Sequence, residues 1–179
     1  VCQNKFSFLA KIVGLFTFKY ISSRQKIRIC VYENVYMEEE RFFKRRYELK
    51  GYQVGRQVLV KPQTELAKMK ERRIPETLQD SDFVNLEGCV YLKSVDRQFL
   101  IDNIKLDVDY LQNRQFMGYS MLAGMIEVRD LTASQIAHFD ELSALKLAFF
   151  DTDRNHIIVF GIVGFFHQIC FFQRVRRLF

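Results

Sequence analysis

Asn103-Ile-Lys-Leu-Asp-Val-Asp-Tyr110 alternates at a period of two, with Ile104, Leu106, Val108 and Tyr110 set against Asn103, Lys105, Asp107 and Asp109. Successive side chains of a strand point to opposite faces, so the run predicts a strand with one face in a core and the other in water. Extended over 99–111 and joined to 89–93 across Asp96-Arg97, it predicts a β-hairpin, and with it an antiparallel sheet. What flanks the hairpin then decides the fold class.

Downstream, a further strand is expected over 121–129. Thr132 and Gln135 have capping-box spacing and predict a helix over 133–150, with Ile136, Phe139, Leu142 and Leu145 on one face. Upstream, Ile27, Ile29 and Val31 alternate with Arg28, Cys30 and Tyr32 as a strand over 27–32. Glu38, Glu39 and Glu40, followed by Arg45, Arg46, Lys50 and Gly51, complement a helix dipole and its stop, predicting a helix over 37–50. A strand over 56–61 and a lysine-rich helix from Gln63 to Arg73, ending before Pro75, follow, and 75–88 reads as loop. Strands adjacent in sequence beside capped helices predict an α+β fold, a mainly antiparallel sheet covered by about three helices. Apolar aromatic segments flank it, dividing the chain into 1–26, a core domain 27–155, and 156–179.

Charge is segregated under a net +6, because all 21 acidic residues lie between Glu33 and Asp153. Residues 6–21 are apolar almost all round a helical wheel, which predicts a helix buried in protein or lying in lipid. Residues 156–172 are apolar and are followed by Arg174, Arg176 and Arg177, which leaves a borderline membrane span and a buried final strand and helix as the two readings. Ten of the 18 Phe lie in these two ends. Phe6, Phe8, Phe16, Phe18, Lys19, Phe171, Phe172, Arg174, Arg176 and Arg177 are therefore the expected contacts to a membrane or a partner.

A second basic region, 41–73, holds eleven Lys/Arg against three acidic residues. On the expected helices Arg41, Lys44 and Arg45 share one face, and Lys61, Lys68 and Arg72 extend its sign, making an anion or nucleic-acid surface or a merely solvated face. Arg24 and Arg28, in Arg-Gln-Lys-Ile-Arg, resemble the arginine half of the cyclic-dinucleotide motif of PilZ domains. The companion Asp/Asn-x-Ser-x-x-Gly half is missing, so the resemblance implies only a phosphate-ligand candidate at those two arginines.

Little else has the spacing of a reactive site. Cys2, Cys30, Cys89 and Cys170 form no Cys-x-x-Cys pair, and His138, His156 and His167 are scattered, so no metal, disulfide or cofactor is expected. Asp151, Asp153 and Asn155 open like a calcium loop, but His156 and Ile162 stand where Gly and Glu are needed. No phosphate-binding glycine loop or nucleophile elbow occurs, and no catalytic residue is assigned. The expectation is a non-enzymatic binding or assembly subunit that docks on a membrane surface or a larger complex through its ends. It is intracellular, membrane-peripheral or organellar, with nucleic-acid or phosphate-ligand binding as the alternatives.

Overall fold

The computed structural model describes residues 5–19, 26–36, 38, 40–59, 65 and 68–164, together with the backbone of 167–168. Strands β1 (Ile12–Lys19) and β2 (Lys26–Tyr32) form an antiparallel hairpin. A short 3₁₀ turn at Glu40–Phe42 leads into β3 (Arg45–Leu49), and β4 (Thr77–Leu78) precedes helix α1 (Asp80–Leu86). Helix α2 (Ser94–Asn113), β5 (Phe116–Met117), β6 (Ser120–Glu127) and helix α3 (Ala133–Ala144) follow. The described chain closes with β7 (Phe149–Phe150), β8 (His156–Val163) and β9 (His167–Gln168).

The central sheet has the order β4-β3-β6-β8-β7, antiparallel except where β4 runs parallel to β3. Small sheets β1-β2 and β5-β9 accompany it, and the fold is α+β as expected. Period-two alternation gives the central sheet two apolar faces. Tyr47, Ala123, Met125 and Ile158 pack with Leu59, Ile74, Leu78 and Leu86 on one, and Ile126, Ile157 and Val159 pack with Phe43, Phe139 and Phe150 on the other. Each buried Val, Leu, Ile, Met or Phe among them contributes roughly 1.5–3 kcal/mol by leaving water.

The second face is crossed by the segment entering β3, which needs room close to the sheet. A β-carbon at Gly124 would sit 2.5 Å from the Phe43 ring, and one at Gly161 would sit 2.5 Å from Val35. Glycine at both positions lets Val35 and Phe43 rest on the backbone of β6 and β8.

Several local expectations give way to tertiary context. The period-two run over 103–110 lies within α2, whose buried positions are Asn103, Asp107 and Leu111, spaced by four. Asp107 is the misleading residue: read as wet, it is fully buried, because Ser7 and the Phe8 N–H donate to it. Within the expected helix over 37–50, Glu40–Phe42 form only a 3₁₀ turn and Arg45–Leu49 are β3, whose Arg45 and Tyr47 are buried. The Arg45 charge is matched by the distant Glu87, which also accepts the Tyr47 hydroxyl, rather than by a helix dipole.

The apolar run 6–21 supplies β1 rather than a helix, and 156–163 is β8, paired between β6 and β7. The loop expected over 75–88 contains β4 and α1, which opens where the Gln79 N–H donates to Asp82 at 3.1 Å. Within the expected strand over 56–61, residues 56–59 form no strand, and the N–H groups of Val58 and Leu59 donate to Asp82 instead. The capping box at Thr132 and Gln135 is present, but α3 stops at Ala144 so that Phe149–Phe150 can join the sheet as β7. Among the described residues, no helix is long and apolar enough to cross a membrane.

Candidate functional site

β3 ends in a corner, and the corner gathers charge. Strand alternation turns Glu48 to the face opposite Tyr47, where its carboxylate is half-buried and accepts from the Ser120 hydroxyl at 2.7 Å. Lys50 Nζ lies 3.8 Å from Glu48 Oε1, and Arg56 Nη1 lies 3.8 Å from Glu48 Oε2. Arg56 is buried, donates from Nη2 to the Glu48 carbonyl at 2.5 Å, and donates from Nε to Asp80 at 3.0 Å.

Asp80, in the first turn of α1, completes the corner by accepting from the N–H groups of Lys50 and Gly51 at 3.0 and 2.8 Å. Burial alone would push the Asp80 carboxyl up, but the hydrogen bonds from Arg56, Gly51 and Lys50 outweigh it and hold the carboxyl below the ordinary range. Tyr36 lies on the Glu48 face, 6.0 Å from the Arg46 guanidinium. Burial, offset in part by Arg46 and reinforced by Glu48, pushes its hydroxyl up to about 12.

On the Tyr47 side the corner walls a cavity of about 390 Å³ lined by Leu49, Phe83, Ile104, Val108, Met121 and Ile162, with Lys50 and Asp80 at its edge. A half-exposed carboxylate and ammonium, fixed by buried neighbours, can hold a hydroxyl and a phosphate respectively. Among the described residues, no three His, Cys, Asp or Glu side chains converge on a point that could hold a metal.

The residues singled out from sequence lie elsewhere. Arg28 is exposed on β2, and Lys68 and Arg72 are exposed in the segment before β4. Arg41 is exposed with its guanidinium 5.0 Å from the Phe42 ring centre. Lys44 is buried in an ion pair with Glu127, and Arg45 is buried against Glu87, which also accepts from the Tyr47 hydroxyl.

Arg41 and Lys44 do line one depression with Arg73 and Arg129, but Glu71, Glu127 and Asp130 line it too, and Arg45 is not part of it. Phe6 meets Phe99 edge-on at 5.2 Å, Phe8 lies 6.2 Å from Phe149, and Phe16, Phe18 and Lys19 are exposed on β1. Arg24, Lys61, Phe171, Phe172, Arg174, Arg176 and Arg177 lie outside the described residues.

Sequence reasoning missed Glu48, Arg56, Asp80 and Ser120. Asp80 lies 24 residues from Arg56, and Ser120 lies 72 from Glu48, so no local spacing joins them. The one legible signal is the Asp80-Ser81-Asp82 step, two carboxylates where a short helix begins.

The comparisons with known proteins converge. The family model for phosphatidylinositol-4-phosphate 5-kinase matches residues 1–168. A probable phosphatidylinositol phosphate kinase of Dictyostelium discoideum is 32% identical over 123 residues, 69% of this chain and 16% of that protein. Phosphatidylinositol 5-phosphate 4-kinase type-2 alpha of Rattus norvegicus is 30% identical over 103 residues, 58% of this chain and 23% of that protein. The type-2 gamma protein of Xenopus tropicalis is 37% identical over 84 residues, 47% of this chain and 18% of that protein.

The chain thus spans less than a quarter of the length of these curated relatives. They overturn the expectation of a non-enzymatic docking subunit, and with it the nucleic-acid and cyclic-dinucleotide alternatives, because the family and its members are named as kinases. The absence of a familiar phosphate-binding motif misled that expectation. With the match running over residues 1–168 of 179, the chain belongs to the phosphatidylinositol-4-phosphate 5-kinase family.

Proposed function

We propose that this chain carries part of the phosphoryl-acceptor site of a lipid kinase that acts on a phosphatidylinositol phosphate at a membrane surface. The observation that carries the reading is the Glu48–Lys50 pair, set at the end of β3 and braced by Ser120, Arg56 and Asp80. Phosphoryl transfer asks a protein for positioning and charge neutralisation more than for covalent chemistry. Glu48 orients the attacking inositol hydroxyl and takes its proton at the carboxylate as the oxygen bonds to the γ-phosphorus of ATP and the bond from that phosphorus to the bridging oxygen breaks, releasing ADP. Lys50 holds a phosphate already on the ring, so the headgroup is gripped beside the reacting hydroxyl. Arg56 and Asp80 are positioning residues, since they set the direction of the Glu48–Gly51 corner without facing the headgroup.

The test is transfer of labelled phosphate from ATP to water-soluble short-chain phosphatidylinositol monophosphates by the whole chain, with headgroup binding measured in parallel by titration. Glu48→Gln should lower turnover by roughly 10²–10⁴-fold while leaving headgroup affinity within a few-fold, as loss of a proton acceptor does. Lys50→Gln should weaken headgroup binding by about tenfold, as loss of a charge-assisted contact does. A chain that neither binds nor phosphorylates any of these lipids overturns the reading.

A further inference from the structure

The cavity on the Tyr47 side of the corner is walled by Leu49 from β3, Phe83 from α1, Ile104 and Val108 from α2, Met121 from β6 and Ile162 from β8. Ile104 and Val108 are four residues apart and so share a face of α2. Apolar side chains from five elements would gain dispersion energy by meeting in contact. Here they stand apart around about 390 Å³, the size of a small-ligand site. The polar lining is grouped: Lys50, Tyr52, Gln53 and Asp80 belong to the corner or follow it in sequence, and Tyr119 directly precedes Ser120.

Between the corner and the cavity stands Gly51, which puts no side chain in the way. Its φ of +80° favours glycine, and no atom lies within 4 Å of where a β-carbon would sit. Its N–H donates to Asp80 at 2.8 Å, so this edge is held in place. An occupant that suits both parts is anionic beside Lys50 and apolar beyond Gly51. A nucleotide base suits neither demand, because its ring nitrogens would be buried without partners against Leu49, Ile104, Val108 and Met121. A hydrocarbon chain needs no hydrogen bond. The geometry points to an acyl-chain site: one chain of the phosphatidylinositol phosphate leaves the bilayer, passes Gly51 and lies between α2 and the sheet. The inference rests on the lipid-kinase reading and adds that the substrate is recognised by a tail as well as by its headgroup.

Titration of the whole chain with three ligands, each kept monomeric, tests it: tail-free inositol 1,4-bisphosphate, and the dibutanoyl and dioctanoyl forms of phosphatidylinositol 4-phosphate, with the 5-phosphate series run alongside. Each further methylene buried is worth roughly fourfold in affinity, so the dioctanoyl lipid should bind at least about tenfold tighter than the dibutanoyl lipid. Val108→Phe places a ring in the cavity. It should bring the two lipids within about twofold of each other and leave the tail-free headgroup within about twofold of its wild-type affinity. Ile104→Phe enters from the same helix face and supplies a second filled cavity, with circular dichroism checking that each variant is folded.

The wild-type comparison stands without any variant: equal affinity for the two lipids overturns the acyl-chain site, while headgroup binding leaves the lipid-kinase reading in place. A chain-length preference that survives in both folded variants also overturns it, since the tails then lie elsewhere. So does a loss of ATP binding in both variants with the chain-length preference intact, which assigns the cavity to the nucleotide. A chain that binds none of the three ligands in either series rejects the lipid-kinase reading and the acyl-chain site with it.

Discussion

Asp107 accepts the backbone N–H of Phe8 at 2.6 Å, a bond between residues 99 apart in sequence, and Ser7 adds its hydroxyl at 2.8 Å. The segment that feeds β1 is therefore fastened to the middle of α2 by a fully buried carboxylate. Asp107→Ala should lower the unfolding free energy by about 2–3 kcal/mol, because two donors lose a buried acceptor. Urea unfolding followed by circular dichroism measures it. A loss below about 0.5 kcal/mol would show that water satisfies these donors and that the fastening is dispensable.

Asp80 predicts how the corner responds to acid. Its folded carboxyl is held below the ordinary range although burial opposes this, because Arg56 and the Gly51 and Lys50 N–H groups bind the charged form. A depressed carboxyl stabilises the fold above its unfolded value of about 3.9, and that contribution disappears as pH falls through the lower folded value. Unfolding free energy should thus drop below about pH 4–5, and Asp80→Asn should flatten that acid limb while being less stable near neutrality. Parallel limbs for the two proteins would remove Asp80 as the source.

The ion pair between Lys44 and Glu127 is buried, and Arg129 also donates to Glu127, at 2.8 Å. Taking away one member leaves an incompletely compensated buried charge. Lys44→Met alone should cost about 3 kcal/mol, and adding Glu127→Leu should restore at least half of it. A double-mutant cycle by chemical unfolding reads the coupling, and strict additivity would contradict a mutual pair.

The sequence was most legible where chemistry is local. Residues 27–32 alternate as a strand and 121–129 is expected as another, and β2 and β6 are there; Thr132 and Gln135 mark the start of α3, and both capping hydrogen bonds form. Legibility failed where a charged residue is buried by a remote partner. Asp107 mimicked a solvent-facing strand position because Ser7 and Phe8 are far away in sequence, and Arg45 mimicked a helix C-terminus because Glu87 is. The Glu48 corner failed for the same reason. Its members come from β3, the segment after it, α1 and β6, and each alone is an ordinary surface residue type. Burial of a charge is a property of the assembled chain, which no window of sequence displays.

The two glycines beneath the crossing segment also constrain how this protein can diverge. Gly124 is filled from above mainly by Phe43, with Tyr36 beside it, and Gly161 by Val35. A gain of even one methyl group on a strand must be met by a smaller residue in the segment above it, so neither position drifts alone. In a set of descendants the pairs 43/124 and 35/161 should change together or stay fixed, leaving a covariation signature that traces the path of the crossing segment over the sheet.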